Sequence, residues 1–587
     1  MPTASQTSEV ALEVKTGSSD LTAIQPEDIT LIDAAMGSGH ILVYAFTMFM
    51  QIYGQEGYSQ RDAAKLIIEK NLWGLDIDTR AFQLTYFALM MKARQFNRRF
   101  LKLRICPNVF DIPDSQGLSI DDFQSLIRDE QEKENLAAAL GQFKYGNEYG
   151  SLIIPDATIN WDELQQLASR ELAKGQLSLD SALLTEKQAR LKDIVTVGQV
   201  LSRQYTIGAM NPPYMGSGKM DATLSKYVKK HFPNSKSDLF AVFIERLRAL
   251  TMQDGYFAMV TQHAWMFLSS FEKLRQTLRQ DMLLNMAHLG TRAFEEIGGE
   301  VVQSTTFVFK KQQVSNFVGT YERLVSFDSQ NKKEQAYLEA VKNMTVPYLY
   351  RTNQANFTKI PGMPIAYWAS ENIRSAFDHP ISKKYDVVAG ISTGDNGRFL
   401  KRWYEVCSGG GSSWKPIAKG GLFRKWYGNY DYVIQYDQYS LSEMKKKNGF
   451  RHDGHQYYFQ DILSWSKITS SQFSVRIYAN AVFDSSAPAV ISNDLTLLGF
   501  LNSVTAKYIL KFINPTINFP PGYISELPLP KQNVQVESLV GQSVRISKID
   551  WDYFENSWNF LKHPLLLHIA DEKLAHCRSP IGEQVGL

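Results

Sequence analysis

From Ile29 to about Lys311, short apolar runs alternate with longer segments in which apolar residues return every three or four positions. Short continuous runs fit strands buried on both faces, and the longer periodic segments fit helices crossing over between them. The alternation therefore predicts a parallel sheet covered by helices. The runs place strands at Ile29–Ile32, Leu72–Leu75, Leu103–Cys106, Thr206–Ala209, Tyr256–Thr261, Asn285–Leu289 and Thr305–Phe309. Helices are expected over Ile41–Tyr53, Thr79–Phe96 and Asp238–Met252. In the second of these Phe82, Tyr86, Leu89 and Ala93 fall on one face, which is core packing, and Asp78 stands where an N-cap belongs.

One stretch interrupts the alternation. Residues from about 114 to 203 are charged and helical in pattern, with helices expected over Asp121–Phe143 and Trp161–Gly175, and read as an insertion in the sheet domain. After about residue 318 the texture changes to glycine, aromatic and β-branched residues in short runs, broken by turn signals at Thr393–Gly397 and the triple glycine 409–411. The expected organisation is a poorly ordered tail over 1–28, an α/β domain over 29–317, a mixed α+β domain over 318–535 and a helical segment over 536–587.

A chain of 587 residues with 44% hydrophobic and 21% charged residues has enough apolar material for several cores. Its three cysteines, Cys106, Cys407 and Cys577, are too few and too scattered for a disulfide framework or a four-cysteine zinc site. No basic-then-apolar leader opens the chain, and the longest apolar run, Ile41–Met50, is about half a membrane span, so a cytoplasmic protein without membrane insertion is expected. The net charge of +3 is uninformative, but its distribution is not. Between Arg398 and Arg451 eleven basic residues stand against four acids, interleaved with Trp403, Trp414, Trp426, Tyr427 and Tyr430.

Three motifs carry chemistry. Asp33-Ala34-Ala35-Met36-Gly37-Ser38-Gly39 lies between an expected strand and helix, where glycines permit a sharp turn and close approach of a ligand; a tight turn alone would use the same residues. Gly74-Leu75-Asp76-Ile77-Asp78 puts Asp76 at the carboxyl end of the second strand, suited to accept hydrogen bonds from ribose hydroxyls. Asn211-Pro212-Pro213-Tyr214 follows the fourth strand. Consecutive prolines fix two φ angles, so that the Asn211 side chain and the Pro212 carbonyl can both accept from one planar amino group and favour its pyramidal, nucleophilic form. Tyr214 would stack on an extrahelical base.

In this order the set resembles the amino-group class of S-adenosylmethionine-dependent methyltransferases, in the gamma arrangement of adenine-N6 enzymes. The resemblance implies a Rossmann-like sheet, S-adenosylmethionine as cofactor, Asn211, Pro212, Pro213 and Tyr214 as the catalytic motif, and Asp33, Ala34, Gly37, Gly39, Asp76 and Asp111 around the cofactor. The usual loop of that class has Pro and Cys where this chain has Ala34 and Met36. A closer resemblance, to the PglX family of BREX phage-defence methyltransferases, rests on Gly37-Ser38-Gly39-His40, the Asp76 and Asn211 motifs, and strings at Gly298–Gln303, Ser392–Phe399, Arg424–Asn429 and Trp551–Trp558. It implies methylation of adenine N6 in a specific duplex DNA sequence by base flipping, as host marking in phage defence.

The basic, aromatic stretch suits a target-recognition domain, with Arg398, Lys401, Arg402, Arg424, Lys425, Trp426 and Tyr427 as candidate DNA contacts; for each of the cations a solvated surface position is the plain alternative. Asn514–Pro521 resembles the closing segment of such domains or is a structural turn. His263 and the group His452, Asp453 and His455 lack the spaced ligands of a metal site, so no metal is expected. Two other functions compete: protein glutamine methyltransfer, which also uses Asn-Pro-Pro-Tyr but needs no large basic domain, and a catalytically weak DNA-binding fragment or subunit. Only 32 residues precede Asp33, fewer than the resemblance implies, so weak cofactor binding by this chain alone is expected. Activity would then depend on a separately encoded N-terminal piece or other BREX subunits.

Overall fold

The computed structural model describes residues 24–170, 179–294, 302–406, 413–514 and 516–568. It divides the chain into two compact units, Met1–Asn356 and Phe357–Leu587.

The first unit is built on a nine-stranded sheet in the order β3-β2-β1-β4-β5-β7-β6-β8-β9. Its strands are β1 (Leu31–Asp33), β2 (Leu72–Asp76), β3 (Asn108–Asp111), β4 (Tyr205–Met210), β5 (Thr251–Gln262), β6 (Met282–Gly290), β7 (Ser304–Lys310), β8 (Val318–Arg323) and β9 (Leu349–Asn353). Strands β3, β2, β1, β4 and β5 are mutually parallel, and β7 runs antiparallel between β5 and β6. The parallel part is the helix-covered sheet that the alternation predicts, and the whole is the Rossmann-like architecture that the resemblance implies. The helices α1 (His40–Gln55) and α2 (Thr79–Phe96) return the chain from β1 to β2 and from β2 to β3. Leu42, Phe46 and Phe49 of α1 and Leu89 and Ala93 of α2 are buried in one core with Leu31 and Leu72 of the sheet.

Several boundaries differ from expectation, each for a local reason. The third strand is Asn108–Asp111 and not Leu103–Cys106, because Phe100–Lys102 forms a 3-10 turn and Arg104 has φ 53°, outside the strand region. The tail expected to reach residue 28 ends earlier: Pro26–Asp28 forms a turn whose Pro26 carbonyl accepts from Asn71 at 2.7 Å. The domain boundary expected at 317/318 falls inside the sheet, since β8 pairs with β6 and β9 with β8. Residues 1–23, the Gly298–Val301 part of its string, the triple glycine 409–411, Cys407, Pro515 and Cys577 lie outside the described residues.

The insertion carries α3 (Glu130–Gln142), α4 (Trp161–Ser169) and α5 (Leu179–Ser202). The helix expected over Asp121–Phe143 is broken into a turn at Ile120–Phe123 and α3, which Asp129 caps by accepting from Glu132 N at 2.9 Å. Trp161 lies so close to Gly198 of α5 that a Cβ there would sit 2.2 Å from its ring. Two further helices, α6 (Ala222–His231) and α7 (Leu239–Leu250), connect β4 to β5.

The second unit contains β10 (Val387–Val388), β11 (Ile391–Ser392), β12 (Leu400–Arg402), β13 (Trp414–Ala418), β14 (Tyr432–Gln435), β15 (Arg451–His452), β16 (Gln460–Trp465), β17 (Val475–Phe483) and β18 (Ala489–Ile491). Seven of these form one sheet in the order β10-β18-β16-β17-β13-β14-β12, while β11 pairs with β15. The helices α8 (Leu495–Leu501), α9 (Val504–Ile513) and α10 (Val534–Asp552) share a core with Trp465, Val475 and Val490. The expected C-terminal segment is thus packed into this unit through Val540 as far as it is described. Among the described residues no helix is long and apolar enough to cross a membrane.

Candidate active site and nucleic-acid interface

The strand order reverses at β1, whose neighbours are β2 on one side and β4 on the other. Connections leave in opposite directions there, opening a crevice above the carboxyl ends of the strands. Asp33, Asp76 and Asp111 are the last residues of β1, β2 and β3, and Asn211 follows β4, so four of the expected site residues meet at this edge.

Asp33 is buried and accepts from Ala35 N at 3.1 Å. Burial pushes its carboxyl up to about 7, the Ala35 N–H opposes the shift, and the Asp76 charge adds to it. Gly37 and Gly39 have φ of 52° and 80°, which a side chain disfavours, and a Cβ on Gly39 would stand 2.7 Å from Thr85. The Thr85 hydroxyl donates to Gly37 O at 2.8 Å, holding the loop from below. Asp76 accepts from Gly37 N at 2.8 Å and from Asp78 N at 2.9 Å. Asp111 accepts from the Thr79 hydroxyl at 2.8 Å.

A cavity of about 370 Å³ is lined by Ala34, Asp76, Ile77, Ile112 and Asn211–Pro213. Tyr214 is not in that lining. Its hydroxyl donates to Val260 O at 3.3 Å, its ring meets Phe240 edge-on at 6.1 Å, and burial pushes its phenol up to about 12. Asp238 braces the turn after the motif: it accepts from Met215 N at 3.1 Å while capping α7, and Leu239 N donates to Met215 O at 3.0 Å.

Another wall comes from the insertion, which sequence reasoning left outside the site. Glu148–Leu152 line the same cavity. Gly150 has φ 56° and lies against Ile77, where a Cβ would come within 2.8 Å of its Cγ2. The Ser151 hydroxyl donates to Ala34 O. Arg246 of α7 donates to Ser151 O at 2.8 Å and Ile153 O at 2.7 Å; it is buried, and burial pushes its guanidinium down to about 10. The sequence signal is weak: Phe240–Leu250 carries three charged residues, Glu245, Arg246 and Arg248, and nothing in the sequence singles out Arg246 among them.

In the second unit every candidate cation has a protein partner. Arg398 pairs with Glu443, Arg402 with Asp431 and Arg424 with Asp550, each at 3.4 Å. Lys401 donates to Gly397 O at 3.3 Å and Lys425 to Asn502 O at 3.1 Å. Asp431 feels both Arg402 and Arg424, which brings these two to one locality. The C-terminal string joins them: Arg424 lies over the Trp551 ring at 4.9 Å, and Trp403 stacks on Trp558 at 5.7 Å. Trp426 is placed differently. It bridges to the β17 backbone, donating to Val475 O at 3.0 Å, and packs against the core. Tyr427 is half-buried beside Tyr430 at 5.1 Å.

Of the histidines considered for metal, His263 bonds His288 at 2.9 Å, His452 bonds the Tyr436 hydroxyl at 3.0 Å, and His455 stacks on His452 at 4.7 Å.

Residues 70–294, which contain Asp76 and Asn211–Tyr214, match the Eco57I restriction-modification methylase family. The chain is 47% identical to the adenine-specific methyltransferase PglX of Lacticaseibacillus casei (strain Zhang) over 581 residues, 94% of this chain. Over nearly its whole length the chain is PglX-like. It is also 35% identical to the adenine-specific methyltransferase BrxX of Escherichia coli O9:H4 (strain HS) over 93% of its length. It spans about half of each PglX-type relative, 48% in both cases. In fold it resembles a nuclease-deletion mutant of the Type ISP restriction-modification enzyme LlaGI, solved in complex with a DNA substrate mimic, with TM-score 0.50 and 12% identity, covering 93% of this chain and 46% of that one.

Proposed function

We propose that this chain transfers a methyl group from S-adenosylmethionine to N6 of adenine at specific sites in duplex DNA, as the modification activity of a BREX-type defence system. The observation that carries the reading is the placement of Asn211-Pro212-Pro213 across one cavity from Asp76.

The residues present fit the cofactor. The cavity falls within the usual range for small-molecule sites, about 300–1,000 Å³. Apolar Ile77 and Ile112 beside the Asp76 carboxylate suit a purine joined to a ribose, and Ala34 and Ala35 bring the start of the glycine loop to the same cavity. Asp33, buried and outside the cavity lining, is assigned to the methionine portion only by the resemblance. The cofactor supplies an electrophilic methyl on a sulfonium, so no covalent enzyme intermediate is needed.

The chain's own part is to orient the amine. Asn211 Oδ1 and the Pro212 carbonyl accept its two hydrogens, favouring the pyramidal nitrogen whose lone pair points at the methyl carbon. Such fixed acceptors are arranged before the reaction and cost no reorganisation during it. An adenine inside a duplex cannot reach this crevice, so the base is flipped out of the stack. The hydroxyl bond from Tyr214 to Val260 fixes the ring beside the motif, and stacking on the extruded base is its proposed role. The cations of the second unit clamp phosphates while neighbouring side chains read base edges.

For partners, α1 leaves Tyr44 69% and Met48 38% exposed over an apolar groove lined by Ile41, Ala45, Ile52 and Ile207. This supports packing of a further segment there, separately encoded or from another BREX subunit. Size-exclusion of the chain with candidate subunits tests it: Tyr44→Glu with Met48→Glu should abolish the complex, and an unchanged complex would exclude the groove.

Sequencing DNA from cells with and without the chain, with detection of modified bases, tests the function. N6-methyladenine at one recurring sequence only when the chain is present is the expected result. Its absence in the presence of all partner subunits would reject the proposal.

A further inference from the structure

The loop between β13 and β14 presents two large apolar side chains to solvent, Leu422 at 87% and Phe423 at 46% exposure. Exposed apolar side chains scattered singly are ordinary, but this adjacent pair sits on a backbone held at four points. Buried Asn429 donates to Gly420 O and Leu422 O, each at 3.0 Å. The Ser466 hydroxyl donates to Gly421 O at 3.0 Å. Arg476, fully buried, donates to Arg424 O at 3.2 Å. The path needs the left-handed region at Gly420 and Gly421, φ 84° and 110°, and Asn429 itself stands at φ 61°.

Fixing this backbone is costly. It uses a buried guanidinium bonded to carbonyl and hydroxyl oxygens and an asparagine in a disfavoured conformation. Leu422 buries almost nothing in return within the folded chain. A rigidly presented apolar pair gains its free energy when something covers it.

Charge selects what does. From Lys415 to Tyr430 the sequence has four cations, Lys415, Lys419, Arg424 and Lys425, and no acid; Lys419 is paired with buried Asp484 at 2.7 Å and Arg424 with exposed Asp550 at 3.4 Å, which leaves Lys415 and Lys425 without an acid partner among the described residues. An apolar pair flanked by cations matches the stacked bases and phosphates of a duplex. Leucine and phenylalanine are side chains that proteins insert between base steps, unstacking them and kinking the helix.

We infer that Leu422 and Phe423 are a wedge that enters the duplex between base steps and lowers the cost of extruding the target adenine. This rests on the reading of the second unit as DNA-binding. Gly420 and Gly421 set the wedge's direction, Asn429 and Arg476 hold it, and Arg424 is placed to neutralise the adjoining phosphate.

The test uses the full chain and a duplex carrying the methylated site found by sequencing, with 2-aminopurine scanned along it. Leu422→Ala with Phe423→Ala should weaken binding about tenfold or more and abolish the rise in 2-aminopurine emission. The log–log salt slope should stay that of wild type, because no phosphate contact is lost. Both side chains are solvent-facing, so an unchanged thermal midpoint verifies folding. Wild-type binding and emission in this variant, while Arg424→Glu with Lys425→Glu weakens binding, would overturn the wedge and leave DNA binding standing. If neither pair of changes affects binding, the wedge and the DNA-binding reading fall together. If the alanine pair instead abolishes self-association with DNA binding intact, the patch is an interface between copies and the wedge is overturned.

Discussion

The backbone N–H of Gly37 donates to Asp76 Oδ2 at 2.8 Å, tying the loop that leaves β1 to the acid that ends β2. The second carboxylate oxygen takes Asp78 N at 2.9 Å, so Asp76 is oriented before any ligand arrives, with a lone pair still free on each oxygen. Replacing Asp76 with alanine removes both a ligand acceptor and the brace of the loop. The expected loss in S-adenosylmethionine affinity is about 10- to 100-fold, from hydrogen bonds to a charged group of about 1.5–3 kcal/mol. Calorimetric titration measures it, with duplex binding unchanged as the control; undiminished cofactor affinity would remove Asp76 from the site.

Asp33 links stability to pH. Its carboxyl is raised from 3.8 to about 7 by burial, so between those values the folded chain holds a proton that the unfolded chain has lost. Stability therefore falls as pH rises from about 4 through 7, by up to roughly 4 kcal/mol at about 1.4 kcal/mol per pH unit, and is level above that. Asp33→Asn should flatten this slope in denaturant unfolding followed across the range. An identical pH profile in the variant would show that Asp33 is ionised throughout.

Arg246 connects the insertion to the sheet. Arg246→Ala leaves the carbonyls of Ser151 and Ile153 without their donor, at a cost of about 1–3 kcal/mol for each unsatisfied buried group. The variant should lose cofactor affinity and become cleavable by protease within 114–203 while the rest of the first unit stays resistant. Wild-type protease resistance there would mean that the wall is held by other contacts.

Arg424 carries opposing demands, since Asp550 at 3.4 Å competes with any phosphate for it. Arg424→Glu with Lys425→Glu should weaken duplex binding and reduce the log–log salt slope by about one per lost contact. Asp550→Asn should act in the opposite direction and strengthen binding. Anisotropy titrations at several salt concentrations measure both, and a salt slope unaffected by the charge reversals would leave these residues as solvated surface.

The parallel sheet was legible because a strand buried on both faces must be a continuous apolar run, as in Leu72–Leu75, and its crossover helix must be periodic, as in Thr79–Phe96. The glycine loop, Asp76 and Asn211 stand out in the sequence because their chemistry restricts the residue types, and the structure brings Asp76 and Asn211 to one cavity. Leu103–Cys106 misled because an apolar run does not reveal the positive φ at Arg104. The boundary at 318 misled because β8 and β9 have the same texture as the second unit and are claimed by the first through pairing with β6. Nothing local marks Glu148–Leu152 as cavity wall. That role depends on the contact of Gly150 with Ile77 and on Arg246, nearly a hundred residues later. Trp426 was expected among the DNA contacts, whereas it bridges to β17 and packs against the core, a pairing that the local sequence does not encode.

The central claim is that Asn211 and the Pro212 carbonyl activate the adenine amine. Transfer of labelled methyl from S-adenosylmethionine to duplex DNA, with N6-methyladenine quantified after digestion, tests it on wild type and Asn211→Ala alongside duplex binding. The account predicts incorporation by wild type in the presence of its partner subunits, a loss on the order of 100-fold or more in the variant, and duplex affinity within a few-fold of wild type. Wild-type incorporation by Asn211→Ala would contradict it.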